Sequence, residues 1–524
     1  MFGIIAYKLS LIYTILIKFV EKKHPMINMI NMASMANMIH KILFHISILL
    51  VSTLLSCSSN GIKNNELSEN NDLNEGVEKK VTIFFVNDQH AQLDNFAKIK
   101  YLIDKEKETK NVIVACSGDM FSGSPVVDNY KDDQGFPMID VMNKVGFDVS
   151  VLGNHEFDYG EATLKKRIEQ ANFNWVCANV DMLNSGVPQP NEFYTVSKND
   201  IKITFLGLVE TNGKKNGTIP STHPWKVKKM KFERPETVVN KYKDVKKSED
   251  SDLFIALTHL GHTSSRNLGD VQLANKFPYF DLIIGGHSHQ EINTKENGIP
   301  IYQSGSYLKN LGKIELSVKN KSITSSKYTL INLEEVLEYD QELKSVIDTY
   351  NNVPELEEVI GNSLINHQRN QVGCLYADAL KATMNVTVSF QNTGGIRSSL
   401  NQGAITKRDI YTIEPFNNGT VKYEMTIGQI KNFLIESKSG FYYSGIQIKK
   451  IGRVIEIRDE LGNLLDYNTV VSVGLTDYIP AVYDNLFPKN SEVQNISAAA
   501  SIISYIKNTN PQVNYPNCGN YFRY

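Results

Sequence analysis

A chain of 524 residues is too long for one ordinary hydrophobic core, so two domains are expected. Its 41% hydrophobic and 21% charged residues are the balance of a globular protein and exclude a disordered chain. A formal net charge of -2 gives no electrostatic case for nucleic acid as the main partner.

From Met38 the N-terminal region reads MIHKILFHISILLVSTLLSC: a weakly basic start, an apolar run, then Leu54-Leu55-Ser56-Cys57. The run is too short and ends too abruptly for a membrane span. It has the form of a secretory signal. Its Leu-x-Ser-Cys ending resembles a bacterial lipoprotein box, which would make Cys57 the lipidated first residue. Residues 1–57 are therefore expected to be an export segment, with Met38 the expected start. The mature protein would be exported and would face the periplasm or the cell surface, touching the membrane only through a lipid at Cys57. Residues 58–80 are polar, without aromatics or periodicity, and read as a flexible tether.

Folded structure is expected from Val81. Short apolar runs lie at Val81–Val86, Val112–Ala115, Val149–Leu152, Ile201–Val209, Leu253–Leu257 and Leu282–Ile284. Each suits a strand buried on both faces, with helices or loops between, which is an α/β layer pattern. A charged segment at 331–352 has helical periodicity and reads as a linker helix. A second α/β region comes after it, with a helix at about 371–384 and strands at 386–390, near 446–457 and at 469–475. The cysteines Cys57, Cys116, Cys177, Cys374 and Cys518 include no C-x-x-C pair, which argues against a zinc ribbon or a dithiol redox site. Cys116, Cys177 and Cys374 read as buried thiols.

The residues just after each run carry the chemistry. The first run ends in Asn87-Asp88-Gln89-His90 and the second in Ser117-Gly118-Asp119. Gly153-Asn154-His155-Glu156-Phe157-Asp158 comes after the third, Thr258-His259-Leu260-Gly261-His262 after the fifth, and Gly285-Gly286-His287-Ser288-His289 after the last. Ligands in open α/β sheets sit beyond the carboxyl ends of the strands. Six of the eleven histidines lie in these segments. Imidazoles with carboxylates, and no thiolates, suit zinc, manganese or iron. The candidate ligands are Asp88, His90, Asp119, Asn154, His259, His287 and His289. Asp88 and His90 are two apart, which on an extended chain puts both on one side, and His287 with His289 repeats that spacing. Gly285 and Gly286 would let the backbone come close to the ions. His262 has no ligand role in this reading and is assigned to an outer or structural one.

The order Asp-x-His, Gly-Asp, Gly-Asn-His-Glu, His, Gly-His-x-His resembles the calcineurin-like metallophosphoesterases. With Thr258 to His262 and the later Asn392-Thr-Gly-Gly-Ile-Arg397, it resembles more narrowly the 5′-nucleotidase and UDP-sugar hydrolase family. The resemblance implies a four-layered α-β-β-α sandwich over 81–330, a helical linker over 331–358 and a C-terminal α/β substrate-specificity domain over 359–524. It implies two divalent ions (zinc, manganese or cobalt) bridged by Asp119. Asp88, His90 and His289 would complete one site and Asn154, His259 and His287 the other, with His155 and Asp158 as the catalytic dyad. Relatives commonly carry Gly where Ala91 follows His90, and an amide where His289 stands.

In the second region, Gly394-Gly395 let the chain turn so that Arg397 points into a cleft, where its guanidinium suits phosphate. Phe416 lies on a turn, and Tyr478 follows the strand at 469–475. The resemblance makes these two the aromatics that sandwich a base, with Asn392, Arg397 and Asp484 holding the rest of the nucleotide. The stretch Gln371 to Leu375 lacks an arginine that relatives carry there. The expected activity is a 5′-nucleotidase, a metal-dependent release of phosphate from nucleoside 5′-monophosphates. Nucleotide sugars and cyclic nucleotides are further candidate substrates. Two other readings remain open at this point: a thiosulfohydrolase-type relative with a non-nucleotide substrate, and a non-catalytic nucleoside-binding lipoprotein.

Overall fold

The computed structural model describes residues 77–524 apart from 132, 215–216, 265–267 and 453. The export segment 1–57, with Cys57, and nearly all of the 58–80 tether lie outside the described residues. The first region's main strands are β1 (Lys79–Val86), β2 (Val112–Cys116), β3 (Val149–Val151), β4 (Asn174–Val176), β5 (Phe193–Lys198) and β6 (Ile201–Val209). They continue with β7 (Leu253–His259), β8 (Leu282–Ile284), β9 (Glu291–Glu296), β10 (Ile299–Ser304), β11 (Asn310–Lys319) and β12 (Ser322–Asn332). One six-stranded sheet has the order β12-β11-β1-β2-β3-β4 and the other β9-β10-β8-β7-β6-β5. Strands β1 to β4 run parallel, as do β6, β7, β8 and β10.

Alternation along the strands builds the layers. Val81, Ile83 and Phe85 of β1 pack between the sheets, where Ile255 and Leu257 of β7 meet them. Phe84 and Val86 face the other way, onto a core shared with α1 (Phe96–Lys107) and α2 (Phe136–Val145). On the far side Phe254 and Ala256 pack with Leu273 and Ala274. The result is the α-β-β-α sandwich. Strands such as β9, whose sequence EINTKE is largely exposed, carry too little apolar pattern to be read in advance.

Of the segment 331–352, the first two residues belong to β12, paired with β11, and only α3 (Gln341–Asn351) is helical. Its start is set by Asp340, whose carboxylate accepts the Leu343 N–H at 2.8 Å. The second region has a sheet of β13 (Val388–Asn392), β14 (Gly419–Thr426), β15 (Gly440–Ser444), β16 (Val470–Thr476), β17 (Glu492–Ser497) and β18 (Tyr521–Arg523). Its order is β17-β14-β16-β13-β15-β18. Helix α4 (Arg369–Met384) packs on β13, β15 and α5 (Ala498–Asn508). The strand expected at 386–390 lies two residues later, because Asn385, at φ 51°, is still capping α4. The strand expected near 446–457 is a hairpin, Gln447–Ile451 with Val454–Arg458.

Cys116 and Cys177 are buried free thiols. Cys374 is not: it forms a disulfide with Cys518, their Cα atoms 5.9 Å apart. The C-terminal segment returns to α4 across 144 residues, a separation at which sequence gives no hint of pairing. No helix among the described residues is long and apolar enough to cross a membrane.

Candidate active site

The loops that leave β1, β2, β3, β7 and β8 converge beyond the carboxyl ends of the two sheets. Asp88, His90, Asp119 and His289 bring ligand atoms within 4.8 Å of one another, and so do Asp119, His259 and His287. Asp119 belongs to both groups. Asn154 joins the second, its Oδ1 2.9 Å from His287 Nδ1. His287 and His289 thus serve different groups, which an extended chain would not allow. Both are left-handed, at φ 76° and 56°, as are Asp88 (52°), His90 (48°) and Asp119 (55°). Such backbone is costly for non-glycine residues and concentrates at functional sites. Ala91, at φ 60°, extends the strained stretch.

Close approach, not an unusual φ, explains Gly286 and Gly153, whereas Gly118 and Gly261 are left-handed at φ 79° and 82°. A Cβ on Gly286 would lie 2.7 Å from Ser117 O and 2.9 Å from His259 Nδ1, and one on Gly153 would lie 2.3 Å from Asp119 Oδ1. Surrounding groups orient the candidate ligands. His259 Nδ1 donates to Ser117 O at 2.7 Å and His90 Nδ1 to Ser122 O at 3.1 Å, so both imidazoles turn Nε2 inward. Asp88 Oδ2 accepts from Asn87 Nδ2 at 2.7 Å and from the His287 N–H at 2.9 Å. Glu156 accepts the N–H groups of Asp119, Met120 and Gly153 at 2.9, 2.8 and 2.5 Å, tying the second and third loops together.

These residues fit divalent cations. His259 Nε2 is buried without a hydrogen-bond partner and lies 3.0 Å from Asp119 Oδ2. Burial, then the charge of nearby His155, holds His90 well below the ordinary imidazole pKa, and burial also lowers His287. Both shifts favour the neutral imidazole that a metal ligand must be. For His259, burial is outweighed by Asp119 and Asp88, which push its pKa up to about 10. Asp119 resists its own burial because His259 and His155 stabilise its charge. The negative charge gathered at Asp88 and Asp119 calls for cations.

His155 Nδ1 donates to Asp158 Oδ2 at 2.5 Å. Asp158 also accepts from Ser122 Oγ and Thr222 Oγ1, each at 2.7 Å. Burial would neutralise both members of the pair. Asp119 and Asp158 nevertheless raise the His155 pKa, and His155 lowers that of Asp158. Both shifts favour an imidazolium held by a carboxylate.

A cavity of about 240 Å³ opens over this centre, and Asn392, Arg397, Phe416 and Tyr478 of the second region line it. The Phe416 ring stacks on His155 with centroids 5.8 Å apart, and Tyr478 meets His223 edge-on at 5.9 Å. The Arg397 guanidinium lies 5.7 Å from the Phe416 centroid, and its Nη2 is buried without a partner. Asp484 is not in the cavity. It sits on a short turn after the Tyr478–Val482 helix, exposed, and pairs with Lys214 at 2.7 Å. His262 is outside as well; its N–H donates to Ser288 Oγ at 3.4 Å. Arg369, near the stretch that lacks an arginine, bonds Ile396 O and braces the Arg397 loop. Sequence reasoning overlooked Thr222, His223, Lys226 and Asn418, all of which line the cavity. The first three lie between β6 and β7 in a stretch with no periodicity, where a Pro-flanked turn was the only signal.

Residues 81–291 match the calcineurin-like phosphoesterases, and residues 353–478 match the 5′-nucleotidase C-terminal domain. The chain is 28% identical over 396 residues to "Endonuclease YhcR" of Bacillus subtilis (strain 168), covering 68% of this chain and 32% of that protein. It is 28% identical over 420 residues to the "Trifunctional nucleotide phosphoesterase protein YfkN" of the same strain, covering 70% and 28%. The match therefore spans about a third or less of the length of these two relatives. A 5′-nucleotidase precursor from Thermus thermophilus has the same fold. Its TM-score is 0.74 at 21% identity, over 84% of this chain and 98% of that one.

Proposed function

The chain belongs to the calcineurin-like metallophosphoesterases that carry a 5′-nucleotidase C-terminal domain, and on that basis we propose that it releases phosphate from nucleoside 5′-monophosphates. One observation carries the reading. A single cavity is lined by Asp119, Asn154, His287 and His289 of the candidate ligand groups and by Arg397, Phe416 and Tyr478 of the second region. That combination of functions suits a phosphate joined to a flat base. The names of YfkN and of the Thermus protein point the same way.

Asp88, His90, Asp119 and His289 would hold one divalent ion, and Asp119, Asn154, His259 and His287 the other. Such ions polarise phosphate oxygens and acidify a water that can attack near neutral pH. Arg397 would pair with phosphate oxygens through its free Nη2. His155, kept cationic by Asp158, would donate to the phosphate or to the departing ribose oxygen as charge builds there. Phe416 and Tyr478 would take the base between them. Asn392 would contact the nucleotide, whereas the ion pair of Asp484 with Lys214 leaves it no direct role in this arrangement. Export and lipid attachment at Cys57 belong to the same proposal, supported by the apolar run that ends in Leu-Leu-Ser-Cys.

The test is phosphate release from AMP by purified protein, with and without a chelator. Metal-dependent cleavage of AMP in preference to p-nitrophenyl phosphate is the expected result. A protein that turns over neither, with metals supplied, would overturn the reading in favour of a thiosulfohydrolase-type enzyme or a nucleoside-binding protein.

A further inference from the structure

The segment Ser221–Lys226 reaches Asn154 of the candidate ligands, Asp158 of the dyad, Tyr478 and the Phe416 backbone. Ser221 O accepts from Asn154 Nδ2 at 3.1 Å, which leaves that amide's Oδ1 turned to His287. Thr222 Oγ1 donates to Asp158 Oδ1 at 2.7 Å. His223 Nε2 lies 3.3 Å from Asp477 Oδ1, beside the edge-on contact with Tyr478. Lys226 Nζ donates to two carbonyls, that of Asp158 and, at 3.3 Å, that of Phe416. At its start the segment is fixed by Glu210, which accepts the Ser221 and Asn212 N–H groups at 2.5 Å each. A short turn, Pro224–Lys226, sets the direction of the lysine.

We infer that this strap is a positioning element with Lys226 as its principal residue, making the fit of a nucleoside against Phe416 set the orientation of the His155–Asp158 pair. The inference rests on the nucleotide reading above. One ammonium joins the backbone of the loop that carries the stacking ring to the backbone of the residue that orients the imidazole. A base seated on Phe416 fixes that loop, and the loop, through Lys226, fixes Asp158. Thr222 holds the same carboxylate from the other side. Binding energy from a part of the substrate remote from the phosphorus is thereby used in the chemical step, so it raises kcat and not affinity alone. A baseless phosphate ester leaves the Phe416 loop unheld and cannot draw on the strap.

The experiment compares wild type, Lys226→Met and Lys226→Arg as full chains of equal metal content. It measures kcat and KM for AMP and for p-nitrophenyl phosphate, and repeats Lys226→Met in a Phe416→Ala background. The ratio of the two kcat values, AMP over p-nitrophenyl phosphate, should fall at least about tenfold in Lys226→Met and recover most of the way in Lys226→Arg. With Phe416 already truncated, adding Lys226→Met should move the AMP kcat far less, because the base then has no ring through which to hold the loop whose carbonyl Lys226 bonds. Equal losses on both substrates would overturn the inference and make Lys226 a support of the fold. A rise in KM for both at unchanged kcat would overturn it too, making Lys226 a phosphate contact. If the wild type prefers AMP while the ratio in Lys226→Met does not move, the strap fails alone. If the wild type shows no preference for AMP, the nucleotide reading falls with it.

Discussion

His155 and Phe416 lie ring against ring, 18° from parallel with centroids 5.8 Å apart, although 261 residues separate them in the chain. The residue proposed to donate to phosphate and the residue proposed to hold a base therefore share one wall of the cavity. Stacking of a base on an aromatic contributes on the order of 1–3 kcal/mol. Phe416→Ala should weaken AMP by about 5- to 150-fold, with much less effect on p-nitrophenyl phosphate. Parallel losses on both substrates would mean that the ring only fills space.

The double set of ligand atoms around Asp119 predicts strict metal dependence. Chelation should abolish activity, and manganese, cobalt or zinc should restore it. Asp119→Ala should be the most damaging single change, since it removes a carboxylate from both groups. Two bound ions per chain by elemental analysis in the wild type, with loss of both in the variant, is the expected outcome. Full activity in metal-free protein would refute it.

Much of this centre was legible because chemistry sits at strand ends, and β1, β2, β7 and β8 are apolar enough to be read directly. The candidate ligands were named by type and order, and the structure brings their side chains together. Their backbone was not legible, because no pattern of residue types announces five left-handed non-glycine residues; Asp88 and His90 were expected on an extended segment and lie on a strained turn. The cavity wall was half legible. Phe416, Tyr478 and Arg397 stand out as aromatics and a cation beside Gly or Pro turns. Thr222, His223 and Lys226 do not, since their importance comes from contacts with Asp158, Asp477 and Phe416, all distant in sequence. Asp484, expected from the resemblance among the nucleotide contacts, lies outside the cavity, because a resemblance in sequence does not say which way a short turn faces.

The Cys374–Cys518 bond pins the C-terminal segment to α4. Disulfides typically stabilise by about 2–4 kcal/mol, chiefly through the unfolded state, and long loops lie at the upper end. Cys374→Ser should lower the denaturation midpoint by a corresponding amount, and the wild type under a reductant should match it. The same midpoint in oxidised wild type, reduced wild type and variant would count against the bond.

Cys57 lies outside the described residues, and its role is tested chemically. Labelled palmitate should enter the wild-type protein in cells and be absent from Cys57→Ser. Equal labelling of the two would rule out lipidation at this position.

The dyad makes a directional prediction about pH. Asp119 and Asp158 raise the pKa of His155, so the imidazolium is fully present below the ordinary histidine value of about 6.5 and is lost as pH climbs through the raised value. Asp158, whose pKa is lowered chiefly by His155, keeps its charge down to below the usual carboxylate range. The charged pair is intact between those limits. If His155 donates to the phosphate or leaving oxygen, kcat must decline on the alkaline side with the loss of that proton. His155→Ala should then lower kcat by about 10²- to 10⁴-fold, the range for a positioned proton donor, while both ions stay bound. Asp158→Asn is the sharper test. It keeps the shape but removes a negative charge 2.5 Å from Nδ1, so the histidine pKa must fall and the alkaline limb must move to lower pH. Ser122 and Thr222 bond opposite oxygens of Asp158, so one of the two hydroxyls would still donate to the single amide oxygen and limit its movement. A limb that stays in place in Asp158→Asn would show that another group sets it. Loss of metal in His155→Ala would make that residue a ligand instead of a donor.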